Sequence, residues 1–249
     1  MSTSLIYLED PYRTDTVARV LDMRGDILVV DRTVYYPGIG VSSPDCGSLL
    51  LDDGTRLGVL GGVWLEHGRL GHRVDINAGR LAIGDEVTVK VDSMQRYLRM
   101  RTHTALHIIA LAFPFAIVGG QVGPGRGHID FKVDHTAMST TLLQHQVHRL
   151  ATQDLPVDVG WREPTKLASD ERVEQFTWPQ ARDAIRVVGL GNFEVQACDG
   201  LHVRNTSEIG NVTINGIVPM GNDQVRVKMS LTEMESFPFL AHASPHPST

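Results

Sequence analysis

Cysteine is nearly absent from this sequence, since only Cys46 and Cys198 occur among its 249 residues. Two cysteines cannot build a disulfide framework, which is typical of a reducing compartment, and we expect a cytoplasmic location. No stretch approaches about 18 uninterrupted apolar residues, so we expect no association with a membrane. Acidic residues outnumber basic residues, and the formal net charge is −6. The chain is therefore not one that coats nucleic acid through its overall charge.

Short apolar runs separated by glycine-containing turns dominate the first 92 residues. Runs such as those at 16–21, 27–30, 48–51 and 87–91 predict β-strands. A two-stranded ribbon is not stable alone, so this regular spacing favours a small barrel or a strongly bent sheet. We therefore predict a β-rich, barrel-like domain with a glycine-containing loop over residues 1–92.

The pattern changes at residue 93. Apolar residues at helical spacing predict one helix from Ser93 to just before Pro114 and a second over about 137–152. Further strands follow, and helices mixed with strands in this order are typical of an α+β fold. The prediction is an α+β protein in which the small N-terminal barrel-like domain precedes a two-layer α+β domain at 93–236. The proline-containing tail at 237–249 is expected to be mobile.

Two pairs of residues with the same spacing point to a metal site. His103 and His107 lie four residues apart on the predicted helix, so both imidazoles project from one face. Cys198 and His202 have the same separation at the end of a predicted strand, where Gly200 allows a sharp turn. Three imidazoles and one thiolate suit tetrahedral Zn²⁺. Either pair alone is more often an ordinary core or surface pair, but together they favour metal binding. The spacing leaves open whether the metal is structural or catalytic.

Longer strings around these residues resemble the signatures of the AlaX family. One string is Arg-Thr-His-Thr-Ala-Leu-His at 101–107, and the other is Cys-Asp-Gly-Leu-His-Val-Arg-Asn-Thr-Ser-Glu-Ile-Gly at 198–210. Thr-Val-Tyr-Tyr-Pro at 33–37, Gly-Gln-Val-Gly at 120–123 and His-Ile-Asp-Phe at 128–131 are also similar to family segments. AlaX proteins are free-standing relatives of the editing domain of alanyl-tRNA synthetase. They hydrolyse tRNA charged with the wrong amino acid.

The resemblance implies a trans-editing hydrolase that deacylates mischarged tRNA(Ala), namely Ser-tRNA(Ala) and also Gly-tRNA(Ala). It implies a partner recognised through its amino acid and terminal adenosine, with no NTP required. The resemblance assigns Zn²⁺ to His103, His107, Cys198 and His202, and substrate binding to Thr33, Ser42, Gln121 and Thr206. The Thr33 hydroxyl would meet the serine side chain, and a site built for a hydroxyl rejects substrates that lack it. The alternative is that Thr33 is an ordinary strand residue.

The loop after Pro37 departs from the family pattern. The family continues with a run of glycines and then Gln, but Val41 and Ser42 stand at the last two of these positions. Valine does not readily adopt positive φ, and loss of the amide removes a donor and an acceptor. Two alternatives therefore stay open. One is a deacylase for a different aminoacyl-tRNA, and the other is a non-catalytic tRNA-binding protein with structural zinc.

Other charged residues are candidates for acid–base chemistry and RNA binding. Glu208 and Asp130 can act as bases, with a structural role as an equal alternative. The glycine-rich segment at 119–127 is expected to form a turn, and it lacks the Gly-Lys-Ser/Thr ending of a P-loop. Four basic residues around the first predicted helix either follow tRNA phosphates or form an ordinary solvated face: Lys90, Arg96, Arg99 and Arg101.

Overall fold

The first part of the chain is almost entirely β-structure. The computed structural model describes residues 2–75, 81–133, 139–163, 184–193 and 195–232. The elements of the first part are β1 (Ser4–Leu5), α1 (Ile6–Glu9), β2 (Asp15–Arg24), β3 (Ile27–Val30), β4 (Arg32–Thr33), β5 (Gly47–Leu51), β6 (Arg56–Leu65), β7 (Arg69–Val74) and β8 (Glu86–Val91). Six of these strands close into a barrel in the order β2-β3-β7-β6-β5-β8.

The barrel core follows from the two-residue period of its strands. In β8, Val87, Val89 and Val91 are buried, whereas Glu86 and Lys90 are exposed. Strand β8 pairs antiparallel with both β2 and β5, so its valines face inward among the apolar residues of those strands. The barrel thereby acquires a hydrophobic core of its own.

The second part of the chain forms two antiparallel sheets and two longer helices. Its elements are α2 (Ser93–Ala112), β9 (Ala116–Val122), β10 (Arg126–Lys132), α3 (Thr140–Ala151), β11 (Val157–Arg162), β12 (Ile185–Leu190), β13 (Val195–Ala197), β14 (Val212–Gly221) and β15 (Gln224–Leu231). One sheet has the order β14-β15-β10-β9 and carries α2 and α3 on one face, and the other has the order β11-β12-β13. The predicted α+β class is confirmed.

Helix α2 is the central element of the fold. The Asp92 side chain caps it by accepting a hydrogen bond from the backbone N–H of Gln95 at 3.0 Å. The helix ends at Ala112, two residues before Pro114, as the sequence predicted. Most of its side chains are buried between the sheet, α3 and the barrel-side loop. No helix in the described part of the chain is long and apolar enough to cross a membrane.

Three arginines of α2 are internal. Arg96, Arg99 and Arg101 are 0%, 3% and 0% exposed. The first two donate to the carboxylate of Asp45, and Arg101 donates to the carbonyl of Ile209 at 2.7 and 3.0 Å. The prediction that these three residues follow RNA phosphates is therefore wrong, and so is the alternative of a solvated face. Their guanidinium groups form hydrogen bonds inside the protein and are not available to an RNA ligand.

The predicted turn at 119–127 is also wrong except at residues 123–125. Gly119 and Gly120 belong to β9, and only residues 123–125 lie between β9 and β10. Glycine is needed here for close strand pairing, because a Cβ atom on Gly120 would lie 2.9 Å from the carbonyl oxygen of His128. The second helix begins at Thr140 with Ser139 as its cap. Residues 134–138 and the predicted tail at 237–249 lie outside the described residues.

Candidate metal centre and the adjoining cavity

The four predicted metal ligands lie together, although two stretches of chain about 90 residues apart supply them. His103 and His107 are one turn apart on α2, and Cys198 and His202 belong to the segment that follows β13. The Cys198 Sγ atom is 3.4 Å from His103 Nε2 and 3.2 Å from His202 Nε2. One donor atom from each residue lies within 4.8 Å of the others, and all four residues are buried. This group can hold a metal ion.

Thr104 orients His202 for this role. Its hydroxyl donates to the carbonyl of Met100 at 3.0 Å, so the hydroxyl oxygen accepts from His202 Nδ1, which is 3.1 Å away. The proton of His202 is therefore on Nδ1, and the lone pair on Nε2 faces Cys198. Such a partner on the second ring nitrogen is the usual support for a histidine ligand.

Gly200 makes room for His103. A Cβ atom at position 200 would overlap the imidazole ring of His103. The backbone bends at Gly200, as the sequence predicted, although the φ angle of this residue is not in the left-handed region. Glycine is needed because the segment after β13 passes directly against the ring.

Arg186, which the sequence analysis did not identify, holds that segment in place. It is 3% exposed on β12, and its Nη1 atom donates to the carbonyls of Cys198 at 2.7 Å and Gly200 at 2.8 Å. An arginine in the otherwise apolar run Ile-Arg-Val-Val-Gly-Leu was the available sequence signal. Buried arginines need acceptors, and these two carbonyls supply them.

Burial keeps the imidazoles in the form that binds metal ions. It lowers the pKa of His107 to about 4 and the pKa values of His103 and His202 well below the usual value, with further lowering by the Arg186 charge. Burial also raises the pKa of the Cys198 thiol to about 11. Neutral imidazoles are ready ligands, whereas the thiol must release its proton when it binds a metal ion. A buried polar atom, His103 Nδ1, has no hydrogen-bond partner among the described residues.

A cavity of about 90 Å³ adjoins this group. His103, His107 and Cys198 form one side of it. Most of the remaining wall is apolar or glycine, including Ile39, Gly40, Val41, Leu106, Ala110, Ile117, Gly119, Gly120, Val122 and Ile129. The polar residues elsewhere on the wall are His128, Gln196 and Asp199. A small group bound here would have apolar walls around it and the donor cluster at one side.

Thr33 does not belong to this wall. It is fully buried, and its hydroxyl oxygen accepts from the backbone N–H of Tyr35 at 3.0 Å. The hydroxyl in turn donates to His72 Nε2 at 2.8 Å. The Thr33 hydroxyl, which was expected to contact the substrate, therefore forms its hydrogen bonds within the barrel.

The other three predicted substrate-binding residues also lie outside the cavity wall. The Thr206 hydroxyl accepts from the backbone N–H of Leu155 at 2.9 Å. Gln121 is exposed on β9 and faces a separate groove. Ser42 is buried, and its hydroxyl lies near the buried Tyr36 hydroxyl. The chain neighbours of Ser42 and Gln121, namely Val41, Gly120 and Val122, form part of the wall instead.

Both candidate bases are held in structural interactions. The Glu208 carboxylate accepts from the hydroxyls of Tyr12 at 2.8 Å and Tyr97 at 3.2 Å, and from backbone N–H groups after His202. Asp130 forms two 2.8 Å hydrogen bonds with Arg226, which lower the pKa of its carboxyl group. The structural alternative for both carboxylates is therefore favoured. Asp199 is a carboxylate that does line the cavity, and the sequence analysis did not single it out as a site residue.

Comparisons with known proteins give a consistent result. The family model described as "Threonyl and Alanyl tRNA synthetase second additional domain" matches residues 185–227, which include Arg186, Cys198 and His202. The alanyl-tRNA editing protein AlaX-M of Saccharolobus solfataricus is 29% identical over 238 residues, covering 90% of this chain and 97% of the relative. AlaX-M of Methanosarcina barkeri is 28% identical over 246 residues, covering 93% and 100%. The alanine–tRNA ligase of Korarchaeum cryptofilum is 31% identical over 230 residues, which are 85% of this chain and 24% of the ligase.

Proposed function

The chain belongs to the AlaX family of alanyl-tRNA editing proteins, and from this premise we propose that it is a trans-editing hydrolase of mischarged tRNA(Ala). Its substrates would be Ser-tRNA(Ala) and Gly-tRNA(Ala). The observation that carries the proposal is the buried cluster of three histidines and one cysteine at the side of a small cavity. The reaction adds water across the ester bond, releasing the free amino acid and the ribose hydroxyl of the tRNA.

We propose Zn²⁺ as the ion held by His103, His107, Cys198 and His202. The donor chemistry fits, because three neutral imidazoles and one thiolate are characteristic zinc ligands. When bound, zinc supplies either polarisation of the ester carbonyl or an anchor for the amino group of the substrate. If His202 stays bound throughout, the site is closed and the metal organises the pocket instead.

The residues of the chain itself favour direct hydrolysis over a covalent intermediate. Cys198 is buried within the proposed zinc-binding group, and a thiolate bound to the metal is not free to attack the ester. The apolar wall formed by Leu106, Ala110 and Ile129 shields the ester from bulk water, while the donor cluster holds its reacting end. Aminoacyl esters are already labile, so positioning is the main requirement. No NTP is needed for such a hydrolysis.

The choice of amino acid is where a second candidate function arises. Val41 lines the cavity, and the Thr33 hydroxyl is engaged by His72. These two observations favour a deacylase whose preferred aminoacyl group differs from serine. We retain Thr33, Ser42, Gln121 and Thr206 as proposed substrate-binding positions. Ser42, which is buried next to Val41 of the cavity wall, has the best support for contact with the amino acid. Gln121, which faces the separate groove, has the best support for contact with the RNA.

We also propose the division into a barrel domain at 1–92 and an editing domain at 93–236. Its support is the presence of two hydrophobic cores, one inside the barrel and one around α2. Some barrel-side residues, such as Tyr7 and Tyr36, pack into the second core. A cytoplasmic location is proposed as well, because a chain with two cysteines cannot build a disulfide framework.

The test is a panel of Ser-, Gly- and Ala-tRNA(Ala) together with other aminoacyl-tRNAs, with ester loss followed before and after metal removal. Rapid loss of seryl and glycyl ester with alanyl ester spared supports the leading proposal, and loss of another aminoacyl ester supports the second candidate. His103→Ala should lower both zinc content and hydrolysis at least tenfold. His145→Ala, on the exposed side of α3, is the matched control and should change neither. No hydrolysis of any ester by the metal-loaded protein would leave only a non-catalytic tRNA-binding role.

A further inference from the structure

The outer face of the sheet β14-β15-β10-β9 carries more basic than acidic side chains. The inner face packs against α2 and α3 through residues such as Ile129, Phe131 and Val227. Side chains alternate along the strands, so the intervening residues Arg126, His128 and Lys228 point to the opposite face. No described helix covers that face.

The net charge of this face is opposite in sign to the net charge of the whole protein. The charged residues of the four strands are four cations and one carboxylate: Arg126, Lys132, Arg226, Lys228 and Asp130. Asp130 is occupied by a two-point ion pair with Arg226. Arg126, Lys132 and Lys228 form no ion pair with any described residue. A protein with a net charge of −6 thus presents uncompensated positive charge on one sheet face.

An open groove of about 670 Å³ runs over this face. The polar residues that line it are Gln121, Arg126, His128, Asn215, Lys228 and Ser230. His128 lies opposite Gln121 on β9 and opposite Lys228 on β15, so it is at the centre of the groove. His128 also lines the cavity beside the metal ligands. The groove and the cavity are therefore neighbours, and the His128 side chain borders both.

We propose that this groove binds the phosphate backbone of the RNA whose acylated end enters the cavity. The charges are complementary, since Arg126 and Lys228 offer unpaired cations and Gln121, Asn215 and Ser230 offer groups for sugar and phosphate hydrogen bonds. Arg126 and Lys228 are diagonal neighbours on paired strands, about 7–8 Å apart at their Cα atoms, so one strand of RNA can contact both. The inference rests on the proposed function only for the nature of the RNA.

The test measures binding of uncharged tRNA(Ala) by fluorescence anisotropy at several KCl concentrations. Each of Arg126→Gln and Lys228→Gln should weaken binding roughly 3- to 5-fold at physiological salt and lower the slope of log K against log salt by about 0.7–0.9. The double variant should lose about twice as much slope. Arg126→Lys keeps the charge and should retain most of the slope.

The matched control is Arg32→Gln with Arg56→Gln, which removes two exposed charges from the barrel. It should leave the salt dependence unchanged. The proposal is overturned if the Arg126/Lys228 double variant, with an unaltered melting temperature, binds tRNA with the wild-type slope. It is equally overturned if the control loses as much slope, because binding would then reflect overall charge. Uncharged tRNA carries no ester, so failure of hydrolysis and failure of this surface are separate results.

Discussion

The glycine at position 200 shows how one missing side chain determines the geometry of the metal centre. Its backbone passes against the His103 ring at the distance of direct contact, where even a methyl group would overlap the imidazole. Gly58, on β6, has open space around the same position and an ordinary φ. The two glycines therefore form a matched pair for a test of the centre.

We predict that Gly200→Ala displaces His103 and lowers Zn²⁺ affinity by about 10- to 100-fold, the range typical of disturbed ligand support. Competition with a chromophoric chelator measures this affinity. Gly58→Ala should bind zinc as the wild type does. Wild-type affinity in Gly200→Ala would mean that His103 is not a ligand.

His72 predicts a pH dependence of stability that is independent of the metal centre. It is fully buried, and its Nδ1 donates to the Leu28 carbonyl while its Nε2 accepts from Thr33. Burial lowers its pKa to about 4, so the unfolded chain takes up a proton at higher pH than the folded protein. The stability that this histidine contributes is present above pH 6.5 and is lost as pH falls toward 4.

Because of His72, the free energy of unfolding should fall by about 2 kcal/mol between pH 7 and pH 5. This value follows from the difference between the pKa of His72 in the folded and unfolded states. Urea unfolding of wild type and His72→Gln at both pH values measures it. The wild type should lose about that much more than the variant, because other buried histidines contribute equally to both proteins. Equal losses in the two proteins would contradict the assigned pKa.

Sequence spacing predicted which residues gather at the centre but not what orients them. His103, His107, Cys198 and His202 were identifiable because each pair has a four-residue separation. Thr104 contacts the ring of His202, and Arg186 contacts the backbone carbonyls of Cys198 and Gly200. The spacing of residues along the sequence does not indicate such contacts. The Thr33 hydroxyl was assigned to the substrate because its partner, His72, lies 39 residues away and could not be anticipated.

At the level of elements, one carboxylate connects the cavity loop to α2. Asp45 ends the loop that contains Ile39 and Val41, and its side chain is 1% exposed. It accepts from Arg96, from Arg99 at 2.8 Å and from the backbone N–H of Tyr36 at 2.9 Å. Two buried guanidinium groups thus depend on a single anion.

We predict that Asp45→Asn destabilises the fold by about 3–5 kcal/mol, because it leaves two buried cations without a counter-charge. Chemical denaturation measures this change. Glu86→Gln removes the carboxylate of an ion pair with Arg19 whose side chains are more than half exposed, and should leave the unfolding midpoint nearly unchanged. A similar midpoint for Asp45→Asn and the wild type would show that the pairs contribute little.

Elements with a clear period were predicted well, and elements rich in glycine or charge were not. The bounds of α2 follow from Asp92, its apolar spacing and Pro114. The glycines of β9 were interpreted as turn residues, although they serve close pairing with β10. The α2 arginines were expected at the surface because a sequence does not show that Asp45 and the Ile209 carbonyl will meet them.

For the whole molecule, the four candidate metal ligands lie on α2 and on the segment after β13, so an ion bound by all four should stabilise the complete fold. At a free zinc concentration about 1,000 times the dissociation constant, the gain is about 4 kcal/mol. In a chain of this size that corresponds to a rise in melting temperature on the order of 10 °C. Differential scanning calorimetry of metal-free and zinc-loaded protein measures it.

The control for this prediction is His103→Ala under the same two conditions. It should show a much smaller rise, since one of four donors is missing. A rise of equal size in the variant would place the stabilising ion elsewhere in the protein.

The overall fold class could be predicted because the spacing of apolar residues determines which elements are helices and which are strands. The packing of barrel residues into the second core could not be predicted, because it depends on tertiary contacts.

The separation of the ligands along the chain has a consequence for biogenesis. Cys198 and His202 are synthesised about 90 residues after His107, and β14 and β15 follow them. A nascent polypeptide that ends before residue 202 offers only an incomplete set of donors. Full coordination of a metal ion by these four residues would therefore have to wait until most of the protein has left the ribosome, and metal uptake would be a late event in maturation.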